Sequence, residues 1–192
     1  MTHIMIDLET MGTKPNSAIL SIGAIKFDPT IVQNEEEIMG NDVFYANVDL
    51  ESCLKAGLTV EGGTFYWWLN QSKDAQRGLT ALDPVSLESA LFDTVNGLTS
   101  WISPNWQDNN SYVWSHGAGF DIPILGTAYA AFDKPAPWKF WNARDTRTLF
   151  DLGDQLGMKK LKLDGTAHNA LDDAVFQARK AQEAYAVILN KG

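Results

Sequence analysis

The sequence predicts an α/β fold, a mixed five-stranded sheet with helices on both faces. Three observations predict it. Short apolar strand patterns cluster near the N-terminus, as in hairpin-linked strands. Beyond them, helical patterns alternate with two further short strands, which favours parallel pairs. The 192 residues are 45% hydrophobic and 20% charged, enough for one domain (1–192) with a core that needs no staples.

Each element has a local reason. In residues 3–7, Ile4 and Ile6 alternate with Met5 and Asp7, a strand pattern. Residues 10–17, with Gly12 and Pro15, read as a loop. The Ile-rich stretch 19–27 is a second strand that stops at Asp28-Pro29. The acidic segment up to Asn41 reads as a connector, and 43–48 as a third strand. Residues 63–71 predict a short helix carrying Trp67 and Trp68. Asp83-Pro84 is a helix start, and Leu87, Leu91, Val95 and Leu98 continue that helix to about Trp101. Residues 103–111 form a loop, and 112–115 a fourth strand. A helix follows over 120–132, since Pro123 is tolerated in a first turn. Residues 142–145 are a short fifth strand, 146–156 a helix closed by Gly157, and 169–189 the strongest helix of the chain.

Composition excludes several classes. A lone Cys53 forbids an intrachain disulfide and reads as a small apolar core residue. No apolar run approaches the ~18 residues of a membrane helix. Asp7 and Glu9 stand where a signal peptide would carry basic and then apolar residues, so a soluble cytoplasmic protein with no membrane partner is expected. The net charge of −9 argues against a general nucleic-acid binder. Its distribution is uneven. Residues 28–51 hold seven acids and no base, whereas 134–162 hold seven bases against three acids.

The chemistry begins with Asp7 and Glu9. Positions i and i+2 of a strand face the same side, roughly 7 Å apart. Two carboxylates at the carboxyl end of an apolar strand repel each other unless a hard cation sits between them. A solvated strand end would carry the same pattern. Asp121 follows a glycine turn after the fourth strand, where it could equally cap a helix. His168 precedes the last helix, and Asp172 and Asp173 sit in its first turn, where the helix dipole alone favours acids. His168 has no such structural excuse, and imidazole accepts a proton near neutral pH.

Taken in order, Asp7-x-Glu9, Asp121, and His168 four residues ahead of Asp173 resemble the motifs of the DEDDh exonucleases. This is the DnaQ-like superfamily with a ribonuclease H-like fold. The resemblance runs from Ile4 to about Ala184. The stretches Asp7-Leu-Glu-Thr-Met-Gly-Thr, Trp67-Trp68-Leu-Asn-Gln-Ser and Arg144-Asp145-Thr146 are similar to the branch of the mycobacterial exoribonuclease RNase AS and phage exonucleases of the exonuclease A type.

The resemblance implies that Asp7, Glu9, Asp121 and Asp173 hold two Mg²⁺ or Mn²⁺ ions. His168 would act as general base, and a single-stranded DNA or RNA 3′ end would be the substrate. It implies that Thr10, Met11 and Gly12 line the terminal-nucleotide pocket, with Met11 against the last base. Trp67 and Trp68 face different ways on a helix; one can stack on a base, and Trp68 is assigned to substrate. Asp172 is expected to be exposed or to stand behind the metal ligands, and Asp145 to support the site from behind. Phe120 and His116 are expected to pack. The basic stretch 134–162 would hold the incoming strand, and relatives on this branch pair as homodimers. Other readings stay open: a lapsed nucleic-acid-binding module, a small-molecule phosphohydrolase using the same carboxylates, or a nuclease restricted to very short oligonucleotides.

Overall fold

The structure is a computed structural model that describes residues 2–77, 83–102, 111–163, 165 and 167–190. Five strands form one sheet: β1 (His3–Thr10), β2 (Ile19–Phe27), β3 (Val43–Asn47), β4 (Tyr112–Ser115) and β5 (Ala143–Asp145). Their spatial order is β3-β2-β1-β4-β5. β1 pairs antiparallel with β2 and parallel with β4, so the sheet is mixed.

The period-two alternation of β1 sorts two cores. Ile4, Ile6 and Leu8 join one apolar cluster, together with Leu87, Leu98, Ile124 and Tyr129. Met5 faces the other side, with Ile25, Trp114, Phe150, Ala174 and Ala178. Asp7 and Glu9 continue the Met5 row. That face is covered by α9 (Ala170–Leu189), whose small residues Ala174, Ala178 and Ala181 let it lie close to β1 and β2.

The β1–β4 ladder ends at Met5 opposite Trp114, whereas β1 stays paired with β2 out to Thr10. Beyond Met5 the two parallel strands therefore part. The crevice lies at their carboxyl ends, where the chain switches from one side of β1 to the other, the usual ligand position in open α/β sheets.

Several local expectations need correction. The first strand continues to Thr10, three residues past Asp7. The acidic connector contains a short helix, α1 (Glu35–Met39). Asn34 accepts from Glu37 N (2.9 Å), and the Glu37 carboxylate accepts from Asn34 N (2.8 Å), a reciprocal cap the composition concealed. Two short helices went unread, α2 (Leu50–Lys55) and α4 (Lys73–Arg77); between them α3 (Gly62–Leu69) carries the tryptophans.

The helix expected over 83–101 is two helices, α5 (Leu87–Phe92) and α6 (Leu98–Ile102). Val85 is drawn into hydrogen bonds with Asn47 and Asp49, so helix cannot begin before the Ser86 cap. Asp93 then breaks the run: its carboxylate accepts from Val95 N and Asn96 N, and Val95 is left 79% exposed. Apart from Ser111, the loop expected over 103–111 lies outside the described residues. α7 (Asp121–Ala130) and α8 (Thr146–Gln155) fall where the sequence places them. Cys53 is fully buried, and burial pushes its thiol up to about 11. Among the described residues no helix is long and apolar enough to cross a membrane.

Candidate active site

The carboxylates gather at the crevice from three directions. β1 supplies Asp7 and Glu9 from adjacent same-face positions. Asp121 opens α7, is 3% exposed, and its Oδ1 accepts from Leu8 N (3.2 Å). Asp121 thus takes a backbone donor of the strand whose β4 partner has ended. Asp173 lies in the first turn of α9, and its Oδ2 accepts from His168 N (2.9 Å). One ligand atom each from Glu9, His168 and Asp173 lie within 4.8 Å of one another.

Gly23 makes the approach of α9 feasible. It pairs with Asp7 across the β1–β2 ladder, and a Cβ there would lie 2.1 Å from Ala170 C. The bare α-carbon lets the first turn of α9 rest on the sheet beside Asp7.

The electrostatics are those of acids held together without a base. Burial, then Asp121 and Glu9, push Asp7 well above the usual carboxylate range. Burial, then Asp173 and Asp121, push Glu9 up to about 8. Burial raises Asp121 to about 7, and it also raises Asp173. Among the described residues no Lys or Arg pairs with any of the four. A set of hard oxygen donors in this state fits a divalent cation, which would restore all four to the ionised form. Asp172 lies against Gly165 and outside the cluster formed by Glu9, His168 and Asp173.

His168 has a left-handed backbone, φ 65°, uncommon for a residue with a side chain. The conformation turns its N–H onto Asp173, and its ring meets Trp67 edge-on at 4.9 Å.

Residues 2–185 match the family model described as the Rv2179c-like 3′-5′ exoribonuclease domain. The chain belongs to this family. It is 30% identical over 164 residues to the exodeoxyribonuclease of Enterobacteria phage T4, covering 77% of this chain and 70% of the relative. It shares its fold with the nuclease domain of 3′hExo, a DEDDh family member bound to rAMP (TM-score 0.55, 15% identity), covering 100% of this chain and 92% of that one. It also shares its fold with the E. coli ExoI–ssDNA complex (TM-score 0.54, 17% identity), covering 99% of this chain. The chain spans 40% of the length of that exonuclease. The protein is thus a 3′-5′ exonuclease, a hydrolase of phosphodiester bonds, on the expected ribonuclease H-like framework.

In this Rv2179c-like exonuclease a groove of about 350 Å³ opens beside the carboxylates. Glu9, Thr10, Gly12, Trp67, Trp68 and Phe120 are among its walls. Two side chains assigned to it are buried. Met11 is 5% exposed within the apolar core, and its backbone is paired with Ala18 and Glu61, so its side chain cannot press on a base. Trp68 is 2% exposed, and its Nε1 donates to Thr10 O (2.9 Å). It fixes the Thr10–Gly12 turn from within the groove wall. Trp67, 43% exposed, is the more accessible of the two tryptophans in the groove wall.

Two supports, Gln177 and Glu61, had no signal in the sequence. Gln177, almost two turns along α9 from Ala170, donates to Asp7 Oδ1 (2.8 Å). Glu61 accepts from Thr13 N and Oγ1 and pairs with Lys14, contacts that lower its carboxyl to about 2 and pin the loop wall. Asp145 accepts from Ala118 N (3.0 Å) and steadies the loop leading into Asp121. Phe120 packs partly against the core. His116 stacks on Phe150 and bonds Thr146.

Proposed function

We propose that this exonuclease removes nucleoside 5′-monophosphates one at a time from the 3′ end of single-stranded DNA or RNA, using two divalent cations. The observation that carries the reading is the convergence of four half-buried or buried carboxylates, none of them in a salt bridge with Lys or Arg among the described residues, edged by one imidazole and opening onto an aromatic-walled groove.

Asp7, Glu9, Asp121 and Asp173 would hold the ions, Mg²⁺ or Mn²⁺. Bound there, they would supply a nucleophilic water at neutral pH and charge stabilisation at the leaving oxygen. The chain does the rest. His168 accepts the proton of the attacking water on a ring nitrogen. Its backbone bond to Asp173 and the Trp67 edge hold the imidazole in place. Gln177 fixes the rotamer of Asp7, and Leu8 N that of Asp121. Trp67 stacks on the terminal base, worth ~1–3 kcal/mol. The Thr10–Gly12 turn, held by Trp68 and by a Thr10 Oγ1 bond to Gly12 O (2.7 Å), forms one wall of the groove.

The test is digestion of matched 5′-labelled DNA and RNA oligonucleotides with Mg²⁺, Mn²⁺ or EDTA. Stepwise shortening from the 3′ end is expected with either ion and not with EDTA. The preferred sugar decides between the two substrates, which the names of the family and of the phage relative divide. Asp7→Asn keeps an acceptor for Gln177 but loses a charge. It should lower turnover by on the order of 10³-fold or more, the several kcal/mol of metal charge stabilisation. Full activity of that variant, or of the wild type in EDTA, would overturn the proposal.

A further inference from the structure

The carboxylate cluster that would hold cations also repels the phosphate chain of a substrate, in a protein of net charge −9. The strand needs a cationic foothold near the site. The basic stretch 134–162 offers several candidates, and the structure separates them. Lys139 lies over Trp141, and Arg144 lies over Tyr112 and donates to Trp141 O and Ala143 O. Both belong to the amino-terminal end of the parallel strands, away from the crevice.

Arg147 is different. It sits in the first turn of α8, where a cation opposes the helix dipole. Among the described residues no carboxylate pairs with its exposed guanidinium. That group instead lies over Gly117: a Cβ built there would meet Arg147 Cζ at 3.1 Å and Nη2 at 3.3 Å. Gly117 has φ 101°, so glycine serves the turn and also leaves a bare shelf beneath the guanidinium.

Asp145 locks the two together. One carboxylate oxygen accepts from Arg147 N (2.8 Å), the other from Ala118 N (3.0 Å). The loop then runs through Phe120 into Asp121, so the position of Arg147 is tied to the carboxylate site. The charge of Arg147 is felt at Asp121 and at His116.

A second cation shares this neighbourhood, since Arg147 and Lys180 both act on the His116 imidazole. Thr146 Oγ1 donates to Ser115 O, which leaves it to accept from His116 Nδ1–H (3.0 Å) and fixes that ring beside α8. Lys180 stands over the Phe150 ring (4.3 Å) on which His116 stacks.

We propose that Arg147, lying on the Gly117 shelf, grips a backbone phosphate upstream of the scissile one. The guanidinium fork matches two phosphate oxygens, and Asp145 presets its distance from the cleavage point. This substrate-binding role rests on the exonuclease reading above.

The experiment measures kcat/KM on single-stranded oligonucleotides that each carry one neutral methylphosphonate at a different distance from the 3′ end. Wild type, Arg147→Ala and Arg147→Lys are compared in Mg²⁺. One upstream linkage should cost the wild type ~10–100-fold when neutralised, the loss of one charge-assisted contact. Arg147→Ala should lose a similar factor on the all-phosphate strand, mainly through KM, and lose nothing further at that linkage. Arg147→Lys keeps the charge without the fork and should fall between. Arg147→Ala with wild-type kcat/KM, or with the wild-type interference pattern, would overturn the assignment while leaving the exonuclease reading intact. A wild type inactive on every oligonucleotide would overturn both.

Discussion

Gly23→Ala adds one methyl group far from any catalytic atom in sequence, yet it should disable the site. The new Cβ would stand 2.1 Å from Ala170 C, 2.2 Å from Ala170 O and 2.3 Å from Leu171 N. All three are backbone atoms, so no side chain can swing aside. To restore ordinary contact at 3.4 Å, the first turn of α9 must retreat by about 1.3 Å. That turn carries Asp173 and is preceded by His168, while Asp7 and Glu9 stay on β1. The 4.8 Å cluster of Glu9, His168 and Asp173 therefore opens. A misplacement of ~1 Å at a reacting centre costs ~10²-fold in rate, and overpacking of this kind costs ~1–3 kcal/mol in stability. The assay is mononucleotide release from a single strand, together with the rise in melting temperature on adding Mg²⁺. Both should fall steeply in Gly23→Ala. Gly126→Ala is the matched control, because nothing lies within 4 Å of a Cβ at that helical position. Activity of Gly23→Ala within about threefold of wild type, with an undiminished Mg²⁺ shift, would refute the reasoning.

Three further outcomes are expected. Glu9 and Asp121 have folded-state values of about 8 and 7, above their ordinary 4.5 and 3.8, so the folded protein binds more protons than the unfolded chain. Their contribution to stability is therefore fully present below about pH 4 and is lost as pH rises through about 8. In EDTA the melting temperature should drop by on the order of 10 °C between pH 5 and 8.5, and Mg²⁺ should restore most of it at the upper end; a flat profile contradicts this. Trp67→Ala should raise KM by ~5–100-fold with an unchanged melting temperature, whereas Trp68→Ala should cost ~3–5 kcal/mol of stability, read by denaturant unfolding. The opposite ranking would return Trp68 to the substrate. His168→Ala should lower kcat by ~10²–10⁴-fold while leaving the Mg²⁺ dependence in place, as single-turnover kinetics would show.

Much of the fold was legible because strand periodicity is local. Ile19–Phe27 and Tyr112–Ser115 have the bounds their residue patterns predict, and the last helix begins one residue from its predicted start. The failures share a cause. Asp93 and Asn34 act through side chain to backbone bonds that no hydrophobic pattern registers. Val85 is claimed by the edge of β3, a contact with residues nearly forty positions earlier.

The order of residues by itself determined the chemical inventory: which acids and which histidine are present, and that Asp7 and Glu9 share a face. A period of two in an extended chain is a property of neighbouring bonds, so it needs no fold to be read. Only the tertiary structure decided that Trp67 is exposed and Trp68 buried, that Met11 is core, and that Gly23 makes room for α9. It also singled out Arg147 from a run of seven bases. Those choices depend on which distant backbone lies within a few ångströms, and close packing of separate elements, not local pattern, sets that distance.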